Sequence, residues 1–396
     1  MNRIIDSNCE IQMYLERLCL RNFRNYRECE VSFNAPITLV VGRNAMGKTS
    51  LLEALYFLCT GESHRATSTS DLIRHTSEGF AVTGYLRNGK KSNALVKLEA
   101  VKPRQGAYRL KTDGVLQRRR SDWIGQLHVV VFSPESLDIV KGSPTSRRRW
   151  LDLLLLQLSR EYLEELQRYR DILQHRNALL KRISIGKGSV SEISVWDGLL
   201  VESGVALITA RQAALSCISP VLETTHLSLT GGRERLLLQY IPGVADVSSD
   251  IANLSDCFRD SLAQMRRDEV RRGVTLVGPH RDDFTLALET LNGDDVIFRE
   301  TARTYGSQGQ HRTIVLALKL SELEFIREST GFAPLFLLDD VLSELDLKRR
   351  AYLLAYLQGV SAQTVITATD KDVMGDELSD VHLVMVEDGA VVKTYR

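Results

Sequence analysis

Gly42-Arg43-Asn44-Ala45-Met46-Gly47-Lys48-Thr49 fits the pattern G-x-x-x-x-G-K-[ST] and stands between an apolar run, "APITLVV", and an amphipathic segment, "SLLEALYFL". That order leaves little freedom: a buried strand must feed a glycine-bearing loop that opens a helix. Backbone N–H groups around Gly47 and the helix N-terminus can then wrap phosphates, with Lys48 reaching the β and γ oxygens and Thr49 ligating Mg²⁺. The expected nucleotide contacts are Gly42, Arg43, Asn44, Ala45, Met46, Gly47, Lys48, Thr49 and Ser50.

Such a loop needs an acidic partner at the end of a neighbouring buried strand, and "PLFLLDDV" supplies Asp339 and Asp340 behind four apolar residues. Asp339 is expected to hold the metal, directly or through water, and Asp340 to orient or deprotonate the attacking water. A mere helix cap is the weaker reading of Asp340, because a carboxylate beside a metal site is seldom idle.

The chain of 396 residues, 43% of them apolar, has room for two or more domains. No uncharged apolar run of about 18 residues interrupts it, and acids stand where a signal peptide would be apolar, which places it in the cytoplasm. Cys9, Cys19, Cys29, Cys59, Cys217 and Cys257 show no zinc spacing and read as reduced thiols. Net charge is only +1, but residues 102–150 carry a net +7 and residues 339–390 a net −7. One region therefore suits phosphate backbones and another repels them.

After about a dozen unpatterned residues, with Met13 an alternative start, "YLERLCLRNFRNYRECEVSF" alternates as two strands around a turn at "NFRNY". Short alternating segments between Phe80 and Leu127 predict an antiparallel sheet. From Ser146 the texture becomes helical, with Leu166, Leu173 and Leu180 seven apart. A break at "GKGS" and a second apolar-periodic segment from Val195 to Leu229 complete an antiparallel helical arm. "LLLQY", "GVTLVGP", "FTLAL", "TVITATD" and "VHLVMVEDG" read as strands. The α/β pattern at both ends implies one domain interrupted by the arm.

Between the arm and the paired aspartates, "TYGSQGQHRT" precedes the apolar helix "IVLALKLSELEFI", and "SELD" follows Asp340. With these two phrases the chain resembles ATPases of the ABC type, "YGSQGQHR" standing for their signature and "SELD" for their D-loop. Gly42 and Ser307 are 265 residues apart, more than in transporter subunits and less than in SMC ATPases with their long coiled coils. "LRNFRNY", "VVFSPESLDIVKGSPTSRRRWLD", "GPHRDDF", "SQGQHRT" and "LLDDVLSELD" narrow the resemblance, over about residues 13–396, to the RecF family.

This resemblance implies an α/β fold: an ABC-type ATPase head, with a P-loop core and an antiparallel β subdomain, and an inserted α-helical arm lobe. Residues 13–144 and 273–396 would form lobe I and residues 145–272 lobe II, with 1–12 an unmatched extension. It implies binding of ATP with Mg²⁺ and an ATP-dependent homodimer. It further implies DNA as partner, single-stranded, double-stranded or at gap junctions, and action with RecR and RecO in loading RecA during replication and recombinational repair. Lys48, Thr49, Asp339 and Asp340 would serve ATP in one subunit, while Ser307, the backbone at Gly309, Gln310 and Asp346 complete the site across the dimer. Arg24 and Asn25 would lie near the nucleotide. Where the class places a glutamine this chain offers Glu135, and in place of a switch histidine it offers Thr369 and Asp370. An aspartate as catalytic carboxylate and the missing histidine fit a weak, DNA-stimulated hydrolase turning over below about 1 s⁻¹.

Arg65, Arg118, Arg119, Arg120, Arg147, Arg148 and Arg149 are the candidate phosphate contacts to DNA, each weighed against a solvated basic face. The competing readings are a short-armed SMC-like clamp and, further off, a transporter ATPase subunit.

Overall fold

A computed structural model describes residues 13–66, 68–88, 95–245, 253–293, 295–360, 362–371 and 381–395; the expectations for residues 1–12 lie outside them. The chain divides into two compact units, and the second takes Asp138–Leu227 and Gly232–Ser307.

In the first unit, β1 (Met13–Phe23) and β2 (Tyr26–Ser32) form the expected hairpin, with Asn22 near the end of β1 and Arg24 in the turn at positive φ. β3 (Ile37–Val41) leads through the glycine loop into α1 (Lys48–Thr60). Leu51 to Thr60 are all buried, so α1 is a core helix rather than a surface one. β4 (Gly79–Asn88), β5 (Leu95–Pro103), β6 (Arg109–Thr112) and β7 (Val115–Leu116) extend the hairpin into an antiparallel sheet of order β2-β1-β4-β5-β6-β7. Alternation decides its faces: Leu18, Leu20, Val82, Leu86, Leu98 and Ala100 turn inward, while Arg17, Arg21, Lys97 and Lys111 turn outward. β8 (Val129–Phe132) then enters the central sheet.

The second unit contains α2 (Asp138–Lys141), α3 (Pro144–Leu158), α4 (Arg160–Ser184), α5 (Ile193–Thr230), β9 (Glu234–Ile241), α6 (Leu254–Arg272), β10 (Asp283–Asn292), β11 (Asp295–Thr301) and α7 (Ala302–Tyr305). The last residues of α5 fall in a short piece, Ser228–Gly231, that groups with the first unit. α5 is long and apolar enough, by length and composition alone, to cross a bilayer. It carries a buried Arg211, bound to Asp152 and Asp282 at 2.7 Å each, and buries Leu200, Leu207, Ile208, Leu215, Ile218 and Leu222 in the protein interior.

Two expectations change here. "GVTLVGP" is not a strand, because side chains replace the ladder: Asn177 Oδ1 accepts from Thr275 N and Glu269 Oε1 from Leu276 N. Nor does the second unit run from 145 to 272. It runs to Ser307, since β10 pairs with β9 along eight residues and Phe284 packs edge-on against Trp150 of α3.

The first unit resumes with α8 (Gln308–Thr330), β12 (Leu335–Asp339), α9 (Val341–Glu344), α10 (Leu347–Gly359), β13 (Thr364–Ala368), β14 (Val381–Glu387) and β15 (Ala390–Tyr395). The central sheet has the order β15-β14-β3-β13-β12-β8, parallel except for β15. Buried throughout, "ITLVV", "LFLLD" and "TVITA" are the continuous apolar strands that a sheet covered on both faces requires. β3, from the start of the chain, lies between β13 and β14 from its end, so both termini build one core.

Candidate functional site

The loop after β3 is held open by its own backbone and braced from outside. Gly42 admits no side chain, because a Cβ there would lie 2.3 Å from Val386 O. Gly47, the N-cap of α1, has φ 117°, and its Cβ would meet Asn25 Nδ2 at 2.7 Å and Tyr26 Oη at 2.9 Å. Those neighbours support the loop: Asn25 Nδ2 and Gly389 N donate to Met46 O, and Tyr26 Oη donates to Gly47 O. Lys48 Nζ donates to Gly42 O (2.6 Å) and Arg43 O (3.0 Å), which lays the side chain back over the loop. Burial holds its pKa below the usual lysine range, against the pull of Asp340 and Asp339.

At the end of β12, Asp339 Oδ1 accepts from Thr49 Oγ1 at 3.0 Å and from Thr367 Oγ1 at 2.8 Å. Burial pushes this carboxyl above the ordinary aspartate range, and the two hydroxyls only partly offset it. The hydroxyl of Thr49 and the carboxylate of Asp339 form a hard-oxygen pair of the kind Mg²⁺ takes, completed in such sites by water and phosphate. Asp340 adopts the left-handed conformation (φ 55°), its N–H is held by Thr367 Oγ1 at 2.9 Å, and Ser343 Oγ donates to its Oδ1. Thr367 therefore positions both aspartates.

A cavity of about 630 Å³ joins these groups, lined by Asn44, Ala45, Gly47, Lys48, Thr49, Ser50, Asp339 and Asp340 together with Arg24, Asn25, Arg65, Asp71 and Ile73. Gly42, Arg43 and Met46 do not line it; Gly42 O and Arg43 O take the Lys48 ammonium, and Met46 O takes the bonds from Asn25 and Gly389. Arg24 enters on a fixed mount: it binds Glu53 through two bonds of 2.7 Å, and Ser63 Oγ donates to the same carboxylate.

Other expected residues go elsewhere. Ser307, Gln308 and Gly309 are exposed at the start of α8, and neither they nor Gln310 line the cavity. Asp346 caps α10, accepting from Arg349 N at 2.9 Å, and is exposed as well. Glu135 pairs with Arg65 at 2.9 Å; burial would raise its pKa, but its own backbone N–H, Ser133 and Arg65 bring it below the usual range. Thr369 and Asp370 are exposed and outside the cavity, so at the end of β13 it is Thr367 that touches the aspartates. Sequence reading missed Thr367, although its register opposite Asp339 follows once β12 and β13 are paired.

The basic clusters also divide. Arg120 donates to Thr60 O (2.7 Å) and pairs with Glu62 (2.8 Å). Arg147 is 4% exposed and bidentate to Asp283, and Arg148 donates to Asp282 O. These three are structural arginines, their guanidinium groups committed within the protein. Arg118, Arg119 and Arg149 are exposed, and Arg65 lines the cavity beside the P-loop.

A parallel core with a P-loop, paired aspartates on the adjoining strand set and an antiparallel side sheet define an ATPase head of the ABC type. Residues 14–392 match the family described as RecF/RecN/SMC N terminal domain. The chain is 41% identical to the DNA replication and repair protein RecF of Synechocystis sp. over 90% of its own length and 92% of the relative's. With the protein of that name from Bacillus subtilis it shares 37% over 96% of this chain and all of the other. Its fold superposes on the solved recombination mediator protein RecF with ATP, of the RecFOR pathway, at a TM-score of 0.86 and 31% identity, covering 99% and 100% of the two chains. An Smc head from Pyrococcus yayanosii shares the fold at a TM-score of 0.57 and 14% identity. This chain belongs to the RecF family.

Proposed function

We propose that the protein binds ATP with Mg²⁺ in the cavity between the loop of Gly42–Ser50 and Asp339–Asp340, dimerises on it, and acts on DNA in replication and recombinational repair. Lys48 and the loop amides bind the β and γ phosphates. Thr49 and Asp339 hold Mg²⁺, and Asp340 orients the attacking water. Arg24 and Arg65, both lining the cavity, add positive charge where phosphates would lie.

The observation that carries this reading is a division within one chain. The P-loop and both aspartates share a cavity, whereas Ser307, Gly309, Gln310 and Asp346 lie outside it. A second subunit would supply the missing wall, its signature helix N-terminus directed at the γ-phosphate. Slow hydrolysis, below about 1 s⁻¹, then acts as a timer that reopens the dimer. The related RecF structures with ATP are described within the RecFOR pathway, which supports RecR and RecO as partners; DNA as the substrate, and RecA as the protein loaded at single-stranded gaps, rest on the family resemblance.

Ser307→Arg tests the arrangement. ATP affinity should stay within about threefold of wild type, because no cavity wall changes, while ATP-dependent dimerisation is lost. Size measurement with a non-hydrolysable analogue reads the outcome, and a variant that still dimerises on ATP rejects the trans-site reading.

A further inference from the structure

Away from the nucleotide site, the turn joining α4 to α5 gathers exposed cations and exposed aliphatic side chains. The two helices run antiparallel: Ser203 Oγ donates to Glu165 O, Arg168 meets Glu202, and Arg176 meets Asp197. Their ends close over Leu179, Leu180, Ile183 and Ile193, with Trp196 and Val270 packed alongside. Val270 brings in the last turns of α6, and Gly273 beyond it lies so close that a Cβ would stand 3.4 Å from Lys181 Cα. Two helix C-termini and one connecting turn thus share a single end of the second unit.

Lys181, Arg182, Lys187, Arg267, Arg271 and Arg272 gather there, most of them exposed. The neighbouring carboxylates are engaged within the protein. Glu192 accepts from Ser189 N at 2.9 Å, Asp197 is bound by Arg176 and Arg266, Glu269 is fully buried beneath Arg176, and Asp268 holds Arg271 at 2.6 Å. Setting Asp268 against Arg271 and the exposed Glu192 against one further cation still leaves an excess of positive charge on this surface. Favourable placement at helix C-termini accounts for Lys181, Arg182, Arg271 and Arg272. It does not account for Ile185 and Val190 in the turn and Val195 in the first turn of α5, which are 66%, 51% and 67% exposed.

We propose that this end of the helical hairpin docks a segment of a partner protein that is acidic and carries large apolar side chains. Its carboxylates would meet the cations of α4, the turn and α6, and its apolar groups would cover Ile185, Val190 and Val195. A nucleic acid fits less well. Phosphates would satisfy the cations but leave three aliphatic groups hydrated, and the aromatic ring nearest the turn, Trp196, is half-buried and already stacked on His175 at 5.2 Å.

Fluorescence anisotropy on the full chain tests this with three labelled probes: a short peptide of Asp, Glu and Phe, the same peptide with Ser at each Phe, and a short DNA duplex. The Phe peptide should bind at least about tenfold tighter than the Ser peptide. Lys181→Glu/Arg182→Glu/Arg271→Glu and, separately, Ile185→Ser/Val195→Ser should each weaken it by about tenfold or more, with ATP affinity unchanged as the control for folding. The proposal is overturned by equal affinity for the two peptides, by failure of both to bind, or by an Ile185→Ser/Val195→Ser variant that binds like wild type. It is equally overturned if charge reversal weakens the duplex and leaves the peptide untouched.

Discussion

Asp339 sits where function and stability oppose each other. Its carboxyl is buried at the end of β12, and burial raises its pKa despite hydrogen bonds from Thr49 and Thr367. A carboxyl that holds its proton more tightly folded than unfolded favours the native state at low pH. That contribution is lost as pH rises from the unfolded carboxylate range through the raised folded value. Asp339→Asn keeps both hydroxyl bonds and removes the charge. In the absence of nucleotide it should therefore melt at a higher temperature than wild type at neutral pH, with the gap narrowing as pH falls. Hydrolysis should drop by at least about 100-fold, since the carboxylate proposed to hold the metal is gone. Thermal melts across the pH range, paired with single-turnover assays, check both halves; a lower melting temperature at neutral pH would contradict the sign.

At the scale of elements, α4 and α6 are joined by charge as well as by packing. Arg176 is fully buried and binds Glu269, also fully buried, at 2.6 Å, with further bonds to Asp197 and Thr275. Removing one partner of such a pair leaves the other charged and desolvated. Arg176→Met should cost about 3–5 kcal/mol in urea unfolding, and Arg176→Met/Glu269→Met should recover most of it. A double variant as unstable as the single one would show that packing, not the ion pair, governs this junction. The arm was legible in sequence because leucines seven apart report a helix seam locally. The false strand at "GVTLVGP" shows the limit, for an apolar run cannot reveal that Asn177 and Glu269 satisfy its backbone.

For the whole molecule, the basic residues sort by what the fold has done with them. Arg120, Arg147 and Arg148 are engaged inside their units, leaving Arg118 and Arg119 as the exposed members of the Arg118–Arg120 cluster. Arg118→Ala/Arg119→Ala should weaken duplex binding and lower the slope of log affinity against log salt by about 2, one for each phosphate left without its arginine. An unchanged slope would remove both from the DNA surface. The companion variant Arg120→Ala should instead lower stability, since it removes the bonds from Arg120 to Thr60 O and Glu62.

The glycine loop, the paired aspartates, the signature phrase and the helical seam were all readable from residues alone. Each is a local pattern whose chemistry depends on neighbours a few positions away, and together they carried the family. Which residues brace and complete the site was decided by the fold. Thr367 reaches Asp339 through strand register, Asn25, Tyr26 and Gly389 support the loop from distant segments, and Arg65 turns toward the cavity beside Glu135. Such roles rest on contacts between residues tens to hundreds of positions apart, and a side chain's partner in space leaves no mark on its neighbours in sequence.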